Sequence, residues 1–390
     1  MIAPTPRSES VRGNPLKLLL FLALDFSLLL GPLHLQPAVQ DVKVTVENGV
    51  KTIFNPKNPV KAAGAATQLI LEEDLVIGRE RDREDHWFSF LNALAVDDAG
   101  NIYTLDPKDI RIRVFDPDGK HLRSFGQKGQ GPGEFSGPGS LRILPPDVLE
   151  VFDVLHSRLS YFTLDGKSLR DVPLARLGFF KIDAKGFFYL HRREPEGNKM
   201  VEELVKLDPD LKTVLKIHSF EQPWNPRVIN PFPETYLFEP LKTGETAWML
   251  ASEYKINVLD SEGKLTRRIV KDYNPVKITA AEREKYLRAQ PQDEISRQSR
   301  YEFPRFYPAA NWVNGLLIDD AGWIYLRTYE KDDQGRIYHD VFDQDGRFVG
   351  RLCLPESESA MVIAKNKVYC LIRESQEGIP LVKRYKMVWK

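Results

Sequence analysis

Leu94-Ala95-Val96-Asp97-Asp98-Ala99-Gly100-Asn101-Ile102-Tyr103-Thr104-Leu105-Asp106 and the segment after it, Ile110-Arg111-Ile112-Arg113-Val114-Phe115-Asp116-Pro117-Asp118-Gly119-Lys120, decide the fold of this chain. Short runs rich in Val, Ile, Leu and aromatics read as strands. Asp-Ala-Gly-Asn and Asp-Pro-Asp-Gly between them read as tight turns, because Gly and Asn accept positive φ and the Asp side chain bonds the turn's own backbone. The unit is therefore strand, turn, strand, loop, strand, turn, strand.

The unit recurs. Its second turn returns at Leu164-Asp165-Gly166-Lys167, Asp208-Pro209-Asp210-Leu211-Lys212, Asp260-Ser261-Glu262-Gly263-Lys264 and Asp343-Gln344-Asp345-Gly346-Arg347. Its first turn returns at Pro145-Pro146-Asp147, Asp183-Ala184-Lys185-Gly186, Lys242-Thr243-Gly244-Glu245, Asp319-Asp320-Ala321-Gly322 and Lys365-Asn366-Lys367. A period of roughly 45 residues with four strands per unit is the mark of a propeller blade. The first turns number six blades, with one long interruption between the fourth and the fifth. After its innermost strand the sixth blade has only Val368–Arg373 and Leu381–Tyr385 before the chain ends. The strand-like run over 67–77 is expected to complete it and remove an open sheet edge. The expected fold is all-β: a six-bladed β-propeller of four-stranded antiparallel blades over 67–390, with a short helical insertion at about 271–310.

Ahead of the ring, Val42–Val46 and Val50–Phe54 flank Glu47-Asn48-Gly49, a strong hairpin signal. Residues 41–66 therefore read as a hairpin lying outside the ring, followed by a linker from Asn55 to Pro59. Residues 1–40 read as a signal peptide or N-terminal anchor. Arg7, Arg12 and Lys17 precede the apolar run Leu18–Leu30, which Gly31-Pro32 breaks. That run is shorter than the ~20 residues of a comfortable span. The chain is thus expected outside the cytoplasm, periplasmic or extracellular, with membrane contact only through that segment.

Lys and Arg together number 55, balanced by 55 Asp and Glu, and no basic stripe interrupts the balance. That argues against nucleic acid as a partner. The two cysteines, Cys353 and Cys370, lack a CxxC context, which removes thiolate zinc sites. They read either as one disulfide or as two buried thiols.

Asp97-x-x-Gly100-Asn101-Ile102-Tyr103, Arg111-Ile112-x-Val114-Phe115-Asp116-x-x-Gly119 and Phe125-Gly126-x-x-Gly129-x-Gly131-x-Gly133-x-Phe135 resemble the NHL repeat. The whole chain resembles bacterial exported six-bladed propellers of that superfamily. The Asn common before the repeat's Arg is absent ahead of both Arg111 and Arg158. The resemblance implies scaffolding and ligand binding for most members. A few relatives are enzymes: gluconolactonase-like hydrolases, peptidylglycine lyase domains and streptogramin-type lyases. It fixes architecture and leaves function open.

Function is expected on the face that carries the long connectors: Gly126–Gly139, His218–Glu234 and the insertion. Arg192, Arg193, Arg327 and Arg373 follow second strands there; facing inward together they would favour an anionic ligand, and facing outward they form a solvated rim. Within the insertion Thr279-Ala280-Ala281-Glu282 is a capping box opening a helix over Glu282–Ala289. After it, Arg300–Tyr307 interleaves Arg with aromatics, as recognition surfaces do or as an anchoring of the insertion would. Gly129–Gly133 reads as a blade connector, since the Gly-Lys-Ser/Thr ending of a phosphate loop is missing. The leading expectation is a binding or scaffolding module for a protein, peptide or glycan, with Arg192, Arg193, Arg327, Tyr254, Tyr329, Arg305 and Phe306 as its contacts. The alternative is a metal-dependent lyase or hydrolase with His156 and His191 as partial ligands; a divalent metal is the only cofactor expected, and only on that reading. Glu239 and Asn314 are too few for a calcium site. No GxSxG elbow or nucleophile–base spacing is visible.

Overall fold

In the computed structural model, which describes residues 42–60, 69–80, 85–174, 179–291, 298–311 and 314–390, the repeats become six antiparallel sheets. Blade one is Ala93–Val96, Ile102–Asp106, Arg111–Phe115 and His121–Phe125. Blade two runs from Pro138 to Pro173, blade three from Phe180 to Pro223, blade four from Tyr236 to Lys271 and blade five from Leu316 to Leu354. Blade six takes three strands from Ser359 to Trp389. Its fourth strand is β3 (Leu69–Ile77), which pairs antiparallel with Leu381–Trp389. The ring closes as the sequence predicts. Residues 1–41 and the linker stretch 61–68 lie outside the described residues.

Each of the six apolar clusters of the core fills one seam between neighbouring blades. Both faces of a blade are thus covered. This explains why Ile102–Asp106 is buried at all five positions and does not alternate: a strand covered on both faces reads as a continuous apolar run. The seam of blades six and one, packed by Tyr369, Leu371 and Val382 against Leu94, Ile102 and Phe115, makes the ring continuous.

The turns behave as their residue types dictate. In the first turn of blades one, three and five, an Asp accepts backbone N–H groups from inside the turn. Asp319 takes Ala321 N at 3.0 Å and Trp323 N at 2.8 Å. A tyrosine six residues on then donates its hydroxyl to the same carboxyl: Tyr103 to Asp97 at 3.2 Å, Tyr189 to Asp183 at 3.4 Å, Tyr325 to Asp319 at 3.0 Å. Each turn is so tied to the second strand of its own blade. At the second turn Gly119 has φ +84, and a Cβ there would meet Leu75 Cδ1 of β3 at 2.7 Å. Leu211, in the equivalent place in blade three, holds φ 63 without being glycine.

The N-terminal hairpin, β1 (Lys43–Glu47) and β2 (Val50–Asn55), is more tightly held than an outlying hairpin would be. β2 pairs parallel with Leu265–Lys271, so blade four becomes a six-stranded sheet. Asn55, read from sequence as the start of a linker, is buried as the last residue of β2. Its Nδ2 donates to Gly346 O at 2.9 Å and its Oδ1 accepts from Phe348 N at 2.8 Å, clamping the hairpin to blade five.

The helix of the insertion, Ala280–Arg288, carries the expected capping box. Glu282 N donates to Thr279 Oγ1 at 3.2 Å, and Thr279 N donates to Glu282 Oε2 at 2.8 Å. No helix among the described residues is long and apolar enough to cross a membrane.

Candidate functional site at the channel mouth

The second strand of blade three, Phe188–Glu196, outruns its inner neighbour and turns back at Gly197 into Lys199–Leu207. Side chains alternate along a strand, so His191 and Arg193 share one face and Arg192 takes the other. The hairpin register sets Arg193 opposite Glu202 and Arg192 opposite Glu203. Arg192 accordingly turns away, 3.6 Å from Glu203, with a hydrogen bond to Thr213 Oγ1 at 2.9 Å. The two arginines thus point to opposite faces of the strand and do not form one inward-facing cluster.

Glu202 organises the other face. It is 1% exposed and lies 2.6 Å from His191 Nε2 and 3.0 Å from Arg193 Nε, while Gln222 Nε2 donates to it at 2.6 Å. Burial works to raise its pKa, but His191, Gln222 and Arg193 outweigh burial and hold it below the ordinary carboxylate value. A carboxylate accepts only, so His191 presents its Nε2 proton to Glu202 and leaves Nδ1 toward Thr235 Oγ1, 3.4 Å away. Sequence reading missed Glu202. The signal was present, because counting back from the Glu196–Lys199 turn places it opposite Arg193.

His191 and Arg193 open onto a cavity of about 430 Å³. The inner strands of blades three, four and five wall it: Phe179 and Lys181, then Glu234 through Glu239, then Asn314 through Leu317. Phe179 is 60% exposed and meets Phe238 edge-on at 5.4 Å. Lys181 Nζ pairs with Glu239 Oε2 at 2.8 Å. The wall offers one free aromatic face beside paired charges of both signs. Such a surface suits a ligand rich in hydrogen-bonding groups with an apolar face. Glu239 and Asn314, weighed from sequence for calcium, are here wall residues of this cavity.

The remaining residues singled out from sequence fall elsewhere. Arg327 is buried at 8% exposure beside His339, and burial pulls its pKa down. Tyr254 is also interior. Its hydroxyl donates to Asp340 Oδ2, its ring carries Lys271 Nζ 4.8 Å from its centroid, and burial and Asp340 push its pKa up. Tyr329 stacks on Tyr307 at 4.3 Å with 12° between the planes, and both rings meet Phe232 edge-on. Tyr286 of the helix joins Phe232, Tyr301 and Phe303. These aromatics anchor the insertion to blade five. Arg305 and Phe306 are exposed on the insertion, the guanidinium 5.1 Å from the ring. Arg373 lies 5.8 Å from the Phe90 ring.

His156 lies between Ser136 Oγ, 2.9 Å from Nε2, and Asp153 Oδ2, 2.8 Å from Nδ1. Each of the two histidines is thus engaged by a carboxylate of its own blade. No group of three or more His, Cys, Asp and Glu among the described residues is arranged to hold a metal. Cys353 and Cys370 are both free thiols, and burial pushes both pKa values up, that of Cys353 to about 11.

Residues 84–230, which span blades one to three, match the family DUF5128, a 6-bladed beta-propeller. Among solved structures, a candidate exported protein from Bacteroides fragilis superposes with a TM-score of 0.51 at 11% identity, covering 86% of this chain and 99% of its own. A member of the DUF4221 family from Bacteroides vulgatus gives 0.48 at 11% identity, covering 83% and 100%. No curated protein matches the sequence. The chain is a six-bladed β-propeller whose first three blades match a family of that architecture.

Proposed function

We propose that this protein is an extracytoplasmic binding propeller that takes a peptide or glycan segment into the channel mouth between blades three, four and five. The cavity of about 430 Å³ carries the proposal, because its wall combines an exposed Phe179 ring with His191, Arg193, Lys181 and Glu239. Elsewhere on the same face Trp87, Phe90, Val154, Leu155 and Phe306 are also exposed, which gives a longer ligand apolar contacts beyond the cavity. The N-terminal basic flank and short apolar run support export, with residues 1–40 as leader or anchor. The metal-dependent lyase or hydrolase alternative finds less support: His156 and His191 are each committed to a carboxylate within their blade.

The test is a screen of the purified protein against peptide and oligosaccharide arrays, with hits confirmed by calorimetric titration. Phe179→Ala and Arg193→Ala should each weaken a true hit by roughly tenfold or more, the scale of one lost anchor at a binding site. Hits that bind both variants as well as the parent would place recognition elsewhere and refute the channel site.

A further inference from the structure

Where the connector into blade two meets the turn between that blade's second and third strands, a serine, a histidine and an aspartate lie in a chain. Ser136 Oγ is 2.9 Å from His156 Nε2, and His156 Nδ1 is 2.8 Å from Asp153 Oδ2, a short contact bent off the ring's N–H direction. Asp153 is fully buried and fixed by the connector itself, accepting Ser136 N and Gly137 N at 2.9 Å each. A buried carboxylate against Nδ1 favours the tautomer with its proton there. Nε2 then carries the lone pair, and the serine hydroxyl donates to it. That is the protonic arrangement of an activated serine.

Blade one shows what the frame looks like without the histidine. There Ser89 N donates to Asp106 at 2.7 Å, as Ser136 N does to Asp153. The residue facing the Ser89 hydroxyl, at 2.6 Å, is Asp109, which Arg113 ties down at 2.7 Å. In blade two both members of that ion pair are exchanged: His156 stands where Asp109 does, and Ser160 where Arg113 does. The repeat supplies the serine and the buried aspartate; the exchange supplies a base. His156 keeps 20% side-chain exposure, and Leu155 beside it, 73% exposed, lies over Gly137, so an apolar surface adjoins the serine.

From this we infer that Ser136, His156 and Asp153 form a second site, independent of the channel cavity, that accepts acyl groups from short apolar esters. Ser136 Oγ attacks the ester carbonyl while its proton passes to His156 Nε2. The carbonyl–oxygen bond to the alcohol breaks, and the alcohol leaves with that proton. Water then adds to the acyl-serine, again giving its proton to His156, and the acid is released as the serine recovers it. Asp153 positions the ring and does not touch the ester.

The experiment is labelling of the intact protein with an alkyl fluorophosphonate, with the modified residue mapped by peptide mass spectrometry. p-Nitrophenyl butyrate hydrolysis is followed alongside. Ser136 should be labelled and Ser89 should not, which makes blade one the internal control. His156→Gln, which removes the base at a partly exposed position without setting a second carboxylate beside Asp153, should fold with a melting temperature near that of the parent. It should lower the labelling rate by at least about 100-fold, the scale of a general base. Absence of label on Ser136, equal labelling of Ser89, or a rate that His156→Gln leaves unchanged would each overturn the inference.

Discussion

His339 sits in the middle of blade five at 2% exposure, with the Arg327 guanidinium among its surroundings. Burial first, then that like charge, lower its pKa from 6.5 to about 3. The unfolded chain therefore binds a proton below pH 6.5 that the folded chain refuses until about pH 3. A depressed folded pKa contributes stability that is complete above the unfolded value and is lost as pH falls toward the folded one. Urea midpoints should drop between pH 7 and pH 4, and His339→Gln should flatten that drop by about 3 kcal/mol at pH 4, from the linkage of about 1.4 kcal/mol per unit. A variant with the same pH slope as the parent would show that His339 is not the group responsible. At the same scale, the strict alternation of a strand separates Arg192 from Arg193. Adjacent residues of like charge are poor evidence of a shared site on a strand.

Between elements, the seam of blades four and five carries a buried charge network. Lys271, from the outer strand of blade four, places its Nζ 3.2 Å from Asp340 Oδ2 of blade five, both fully buried. Arg351 Nε lies 2.7 Å from the other oxygen of Asp340, and Arg351 Nη1 lies 2.9 Å from Glu330. Burial pulls the Lys271 pKa down while Asp340 raises it. Asp340→Ala removes the carboxylate that, among the described residues, holds Lys271 within ion-pair distance, and leaves the Tyr254 hydroxyl without that acceptor. Its expected cost is about 3–5 kcal/mol, that of an orphaned buried charge. Chemical denaturation measures it, and a loss under 1 kcal/mol would mean that the seam repacks or admits water. Lys271→Met should cost less, because it removes the charge with the need for it. This network was illegible in the sequence. Lys271 and Asp340 sit in different repeats on either side of the insertion, and no local pattern links them.

At the level of the whole ring, closure depends on one non-local pairing. β3 zips to Leu381–Trp389 across nearly the full chain length, and Leu75 of β3 packs at the Gly119 turn of blade one. A chain beginning at Arg79 would leave the outer edge of Leu381–Trp389 unpaired, an invitation to aggregation. Thermal unfolding of that truncation should lose its single sharp transition, and size-exclusion chromatography should show soluble aggregate. Melting as cooperative as that of the parent would mean that three strands suffice for blade six. A balanced net charge of zero adds to this exposure, since little self-repulsion opposes association near neutral pH.

By itself the sequence determined the blades: their number, their order, the helix with its capping box and the strand that closes the ring. Those features rest on local chemistry, Asp and Gly in turns and apolar runs between them, and on a period that the chain repeats often enough to be read. Only the tertiary structure decided which side chains meet at the candidate sites. It buried Arg327 and Tyr254, set Tyr329 to anchor the insertion, and brought Glu202 under His191. It also joined Ser136 to His156 and Asp153, where the sequence shows no nucleophile–base spacing. A site is made where several strands and connectors converge, and which side chains meet there depends on register and on which face of each blade is covered. Register can be counted within one hairpin, as it is for Glu202, but which elements converge is not written in the run of residues around any one of them.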